Sequence, residues 1–284
     1  MRYPDPGVSP AGLASVPAIE LKPITALDEV AGFFKKTWVI AELEARKIRH
    51  DPSEIITRAV QPALWLLVFG QVLNAIHAIP TGSMPYIDFM TPGILAQSVL
   101  FIAILSGITI IWERDLGVIH KFLASPTPRA ALVTGKALSA GVKGLSQAVV
   151  IYILALLLGV HLDWNPLAII GTMVAVVLGA MLFSTFSLII ACLVKTRERF
   201  MGIGQLMTMP LFFASNAIYP VAIMPAWLQV IARLNPLSYQ VDLLRALMLG
   251  QFTLGQMGLD FAILLIVTAV LIAIGAKLYP NAAV

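Results

Sequence analysis

The chain has 284 residues, of which 59% are apolar and only 12% charged, with a mean hydropathy of +0.89. A soluble domain runs at roughly 45–50% apolar and about 25% charged, so this composition excludes a soluble globular protein, a disordered chain and a fibrous repeat, and indicates several membrane spans. A single cysteine, Cys192, excludes a disulfide framework, a cysteine-rich zinc site and an iron–sulfur cluster; the net charge of +4 is modest, so what matters is where the basic residues fall.

Residues 1–27 carry Pro4, Pro6, Pro10, Pro17 and Pro23 and no apolar run, which predicts a flexible tail and not a secretory signal. Residues 28–52 follow as a helix stopped by Asp51-Pro52. At 100° per residue, Val30, Phe34, Trp38, Ala41, Ala45 and Ile48 share one stripe, while Lys35, Glu42, Arg46 and Arg49 fall to one side of it. Such a helix, with Phe34, Trp38 and Arg46, lies in the membrane interface, where Trp38 and the flanking Lys and Arg suit the headgroup level. The bland alternative is a helix packed on other protein.

Residues 53–284 form the membrane domain. A span needs about 20 apolar residues, and stretches free of Asp, Glu, Lys and Arg run 59–87, 89–112, 144–162, 164–194, 200–232 and 261–276. These predict an all-α protein with six spans, at about 57–77, 90–112, 138–160, 167–193, 200–219 and 257–277. Eight Lys and Arg precede the first span, five lie in or beside the loop after the second, three follow the fourth, and Lys277 closes the sixth. Seventeen of nineteen therefore share one side, leaving Arg233 and Arg245 on the other. That side is cytoplasmic, and so are both termini.

Two segments between spans are helical but do not cross. After span 2, Leu116, Ile119, Phe122 and Leu123 are spaced three and four apart and followed by Pro126 and Pro128, predicting one short amphipathic helix over 113–125 whose apolar stripe a partner or the bundle must cover. Between spans 5 and 6, Tyr219–Leu254 is largely apolar and holds Pro220, Pro225 and Pro236. It predicts a helix over 226–234, and a second over 237–249 with Asn235 as N-cap, Pro236 at the first position and Gly250 after the end. Each is too short to span, so the pair reads as a re-entrant hairpin entering from the outer side. Asp242 and Arg245, three apart, share a face and can pair.

Several chemistries lack their residues. Gly135-Lys136 is followed by Ala137, so there is no phosphate-cradling P-loop. No H-E-x-x-H occurs, and no metal site is expected. Gly144-Leu145-Ser146-Gln147 echoes an intramembrane serine protease only loosely, with no His placed to act as base. Asn-Pro-Leu at Asn165 and Asn235 suggests the half-helices of a water channel, but Asn-Pro is equally a helix N-cap followed by its first residue. The spans carry no acid near the midplane, where an ion-coupled carrier would need one.

The order of parts resembles the ABC-2 type permease family, the membrane subunits of type-2 ABC exporters, over about residues 28–280. Three local patterns carry the resemblance. Glu113-Arg114-Asp115-Leu116-Gly117 leading to Ser125-Pro126-Thr127-Pro128-Arg129 and Gly135-Lys136 is similar to the family's cytoplasmic loop, with Val118 where the family often has Thr. Phe213 to Pro220 resembles its segment ahead of the outer hairpin. Leu234-Asn235-Pro236-Leu237-Ser238-Tyr239 through Asp242 and Arg245 is similar to its Asn-Pro-(x)2-Tyr…Arg stretch. Within the family, the chain looks most like the daunorubicin-resistance and nodulation-factor export branch.

The resemblance implies a permease subunit, not an enzyme, in a bacterial or archaeal cytoplasmic membrane. It would act with a second permease copy or paralogue and separate ABC ATP-binding subunits, which would hold ATP and Mg; this chain itself needs no cofactor. Membrane lipids are implied partners and nucleic acid is not. Glu113, Arg114, Asp115, Gly117, Ile119, Phe122, Pro126 and Pro128 are the implied ATPase-coupling residues. Tyr219, Pro220, Asn235, Pro236, Tyr239, Asp242 and Arg245 are the implied outer hairpin and gate. The cargo would be amphipathic: a drug, a lipid or a lipid-linked saccharide. The alternatives are a secondary carrier and a membrane enzyme or scaffold.

Overall fold

The computed structural model describes residues 32, 42, 53–76, 79–82, 84–124, 128–194 and 196–280. The expected tail and the interfacial helix with Phe34, Trp38 and Arg46 lie outside them, as does Pro126. Every element among the described residues is helical.

The first helix is built of α1 (Ser53–Leu64), a π-helical turn (Trp65–Gly70) and α2 (Gln71–Ala75). Pro62 sits inside α1. It removes one backbone donor and crowds the preceding turn, and the i→i+5 turn begins three residues later. Then come α3 (Tyr86–Ser106), α4 (Ile108–Asp115), α5 (Val118–Ala124), α6 (Arg129–Leu157), α7 (Pro166–Leu193) and α8 (Arg197–Phe213). A 3₁₀ turn at Val221–Ile223 leads to α9 (Ala226–Leu234), α10 (Pro236–Met248) and α11 (Leu254–Leu278). Four helices are long and apolar enough to cross a membrane: Tyr86–Asp115, which is α3 and α4 nearly in line, α6, α7 and α11. The apolar stretch Ala59–Ala75 is shorter, and α8 has 17 residues.

The expected span boundaries shift at both ends of the chain's middle. The second apolar helix starts at Tyr86 and runs to Asp115, because Asp88 is tolerated in its first turn, where a carboxylate meets the positive end of the helix dipole. The fifth stops at Phe213 instead of 219. Pro210 cannot donate to its preceding turn, the Ala214 N–H closes on the Pro210 carbonyl at 2.8 Å, and residues 214–217 turn away.

Helices α3, α6, α7, α10 and α11 pack round one core containing Met90, Ile94, Leu95, Val176, Phe183, Val241 and Leu264. Small residues let the backbones approach, as in lipid-embedded bundles, where packing and not water exclusion drives association. A Cβ on Gly93 would lie 2.2 Å from the Ala217 carbonyl oxygen, and one on Gly107 would lie 2.2 Å from Ser187 Oγ. Leu247 packs at Gly171 and Gln240 at Gly179, so α10 runs along the Pro166 half of α7.

Both Asn-Pro pairs cap helices. Asn165 Oδ1 accepts from Leu167 N and Asn235 Oδ1 from Leu237 N, each at 3.0 Å. The first opens the full-length α7, which removes the half-helix reading. Gly250, at φ +68°, ends α10 in the left-handed conformation that glycine reaches without strain.

Candidate functional site

Two polar clusters sit at opposite ends of the bundle. At the first, the expected single helix over 113–125 is two pieces. Glu113, Arg114 and Asp115 are the last turn of α4, the chain breaks at Gly117 (φ +68°), and α5 begins at Val118. The break is local chemistry, since only glycine takes this φ cheaply. Three chain segments are pinned together here. Lys136 on α6 donates to both Glu113 carboxylate oxygens, Oε1 at 2.6 Å. Arg114 Nη1 donates to the Val194 carbonyl at 3.2 Å. Arg197, opening α8, donates to Asp115 Oδ2 through Nη2 at 2.6 Å and Nε at 3.1 Å, and its guanidinium stands 5.6 Å from the Trp112 ring. Sequence reasoning missed Arg197, Trp112 and the 194–197 connection. The signal was available: opposite charges clustered in loops on one side of the membrane.

Ile119, expected among the ATPase-coupling residues, faces inward. It is fully buried in the chain's own core, grouped with Ile110, Ile111, Leu132, Val133, Phe200 and Tyr279. It anchors α5 to the bundle, which is thus the cover for this part of the stripe. Exposed apolar groups at this end include Leu116, 75% exposed, Trp112 and Leu193. The Phe122 side chain is outside what the structure describes. Pro128 is the N-cap of α6 and is exposed. Tyr279 closes the cluster from the C-terminal side; burial, then the nearby Glu113 charge, pushes its phenol well above the usual range, so it stays protonated.

At the other end, α10 carries Asp242 and Arg245, whose side chains meet at 3.2 Å. Asn216 Nδ2 donates to Asp242 Oδ1 at 2.5 Å. Arg245 Nη2 donates to the Asn216 carbonyl at 2.8 Å and, with Nε, to the Phe89 carbonyl at 3.4 Å, and its guanidinium lies 3.9 Å from the Phe89 ring. One cation thus ties α10 to α3 and to the 214–219 turn. Arg245 is 12% exposed and Asp242 40%, so the pair is anchored on its basic partner. Asn235 Nδ2 donates to the Leu211 and Ala214 carbonyls at 2.6 and 3.1 Å, fixing the start of α10 to the end of α8. Tyr219 and Tyr239 hydroxyls donate to the Phe213 and Arg233 carbonyls, each at 2.5 Å. Pro220 precedes the 3₁₀ turn and Pro236 is the first residue of α10. Asp88, buried in the first turn of α3, places Oδ2 2.8 Å from His161 Nδ1, a contact not foreseen from sequence.

These side chains are held by structural hydrogen bonds, not arranged as nucleophile, base and oxyanion donors. Among the described residues no group of three His, Cys, Asp or Glu is placed to hold a metal. The arrangement fits a bundle whose two ends are latched by charge.

Comparison with known proteins agrees in kind. The family profile described as ABC-2 type transporter matches residues 35–249. A protein named as transport permease ycf38 of Cyanophora paradoxa is 28% identical over 219 residues, covering 76% of this chain and 74% of the relative. The daunorubicin resistance ABC transporter permease protein DrrB1 of Streptomyces coeruleorubidus is 26% identical, covering 82% of each. Nodulation protein J of Rhizobium leguminosarum bv. viciae is 25% identical, covering 70% of this chain and 76% of the relative.

Proposed function

The chain belongs to the ABC-2 type transporter family, and from that premise, a multi-pass transport permease of an ABC system, we propose that it is the membrane subunit of an ATP-driven exporter of amphipathic molecules. Two permease copies, or this chain and a paralogue, pair with two ATP-binding subunits, which carry ATP and Mg. The chain crosses the membrane six times with both termini cytoplasmic, α1–α2 and α8 being the two shorter crossings.

The observation that carries the reading is the latch at Glu113–Lys136, Arg114–Val194 and Asp115–Arg197. It joins three connections at the end where basic residues concentrate, and leaves Leu116 and Trp112 exposed beside it. A rigid, charge-locked end with an exposed apolar knob is what a force-transmitting contact with another subunit requires. Glu113, Arg114, Asp115 and Gly117 shape the elbow, Ile119 anchors it, and Pro128 opens α6.

The α9–α10 segment is a re-entrant hairpin from the outer side. Gln240 packs on Gly179, 13 residues below Pro166, or about 20 Å down α7 at ~1.5 Å per residue. That depth reaches the middle of a core about 30 Å thick. The hairpin, latched by Arg245, Asp242, Asn235, Tyr219 and Tyr239, closes the outward end of the path at rest. The acid nearest that depth, Asp242, is paired with Arg245 and Asn216, and Asp88 and Asp260 sit within the first two turns of α3 and α11; among the described residues no unpaired acid lies at the midplane, which disfavours an ion-coupled carrier.

The test is copurification of the full chain with the ABC ATP-binding subunits of its host cell. A stable complex in which Leu116→Asp abolishes association while the permease still inserts supports the reading. A wild-type permease that binds no such subunit refutes it.

A further inference from the structure

A cleft of about 210 Å³ opens between α1 and α3. Its polar lining is Thr57 and Gln61 from α1 and Gln97 and Ser98 from α3, set beside Phe101 and Leu105. Thr57 and Gln61 are exposed at its lip, whereas Gln97 is 3% exposed at its floor. The Ser98 hydroxyl donates to the Ile94 carbonyl at 2.7 Å, which leaves its oxygen free to accept. The Gln97 amide makes no hydrogen bond to any described residue. Gln97 lies 11 residues after Tyr86, about 16 Å along α3. An amide left unmatched at membrane depth costs on the order of 1–3 kcal/mol, so a polar group that enters the cleft gains that partner.

We propose that this cleft is the subsite for the uncharged, hydroxyl-rich head of an amphipathic cargo, a glycosyl or polyol head whose apolar tail stays in the bilayer. The inference rests on the exporter reading and names its substrate class. Three observations set the class. The lining holds amide and hydroxyl groups, which donate and accept as sugar hydroxyls need. The lining described holds no Asp, Glu, Lys, Arg or His and so offers a phosphate or ammonium head no counter-charge, while its amides and hydroxyls match a neutral one. The volume is below the roughly 300–1,000 Å³ of sites that engulf a drug-sized molecule, so it takes a head and not a whole ligand. The cleft runs from the middle of α3 toward the Ser53 end of α1, the half of the bundle that faces the basic, cytoplasmic side, which is where an exported amphipath starts.

The test uses the full-length permease alone in phospholipid nanodiscs. Three diazirine-tagged probes are compared: an alkyl glucoside, a phosphatidylglycerol and an alkylammonium, with labelled peptides mapped by mass spectrometry. The glucoside should label the 57–62 and 97–105 segments saturably, at least tenfold over either charged probe. Gln97→Leu should cut that labelling about tenfold with a melting temperature at or above wild type, because the change removes an unmatched amide; a purely structural Gln97 would melt lower. If Gln97→Leu does not fold, Gln61→Leu at the exposed lip should cut labelling several-fold with wild-type melting. Equal labelling by all three probes, non-saturable labelling, or labelling indifferent to both substitutions overturns the proposal. Because no ATPase takes part, failure here is separate from failure of the copurification test.

Discussion

Replacing Arg245 with alanine strips four contacts at once: the ion pair to Asp242 at 3.2 Å, the hydrogen bonds to the Asn216 and Phe89 carbonyls, and the stack over the Phe89 ring. Breaking a buried pair by removing one partner costs about 3–5 kcal/mol. Asp242 is 40% exposed, so water relieves part of its loss, and the low end, about 3 kcal/mol, applies. Asp242→Ala leaves Arg245 with both carbonyls and the ring, so about 1–2 kcal/mol is expected. The double change removes the pair together and should fall short of the sum by about 1–2 kcal/mol. The assay is SDS-induced unfolding of wild type, both single variants and the double, read by circular dichroism. Strict additivity, or Asp242→Ala costing more than Arg245→Ala, would refute the reasoning that Arg245 is the anchor of this latch.

Other outcomes follow from the same geometry. With Cys192 replaced, single cysteines at positions 127 and 197 should be protected from an impermeant thiol reagent in intact cells while one at position 83 is labelled; labelling of 127 from outside reverses the topology. Ile119→Asp should prevent stable folding, because the carboxylate would enter a sealed apolar core at a cost of several kcal/mol, whereas Leu116→Asp should leave the melting temperature unchanged; equal melting of the two variants would place Ile119 at the surface. Gly93→Ala should lower the melting temperature, since its Cβ would stand 2.2 Å from backbone oxygen at Ala217 that cannot rotate away, and a wild-type melting curve would show that the α3–hairpin contact is looser than described.

Much of the fold was legible because periodicity and caps act locally. Asn235, Pro236 and Gly250 bracket α10, and α9 falls on Ala226–Leu234 as the sequence predicts, since each signal is a backbone requirement met within a few residues. What was not legible depends on partners distant in sequence. In the 197–213 run Pro210 weakens the last turns but does not by itself end α8 at Phe213; the end is set when Ala217 packs on Gly93 of α3 and Asn216 is held by Asp242 and Arg245 of α10. The apolar stripe of 116–123 does not reveal that Ile119 meets its own core while Leu116 meets none, because Gly117 reorients the chain between them. Gln97 is in sequence one polar residue in an apolar helix, and only the fold sets Thr57 and Gln61 across a cleft from it.

The most direct measurement of the central claim is flux in proteoliposomes holding the permease with its ATP-binding subunit and a fluorescent neutral glycolipid. The account predicts movement of the lipid between leaflets that requires hydrolysable ATP, persists without any ion gradient, and is lost when the ATP-binding subunit is omitted. Flux by the permease alone, driven by a proton or sodium gradient and indifferent to ATP, would contradict it.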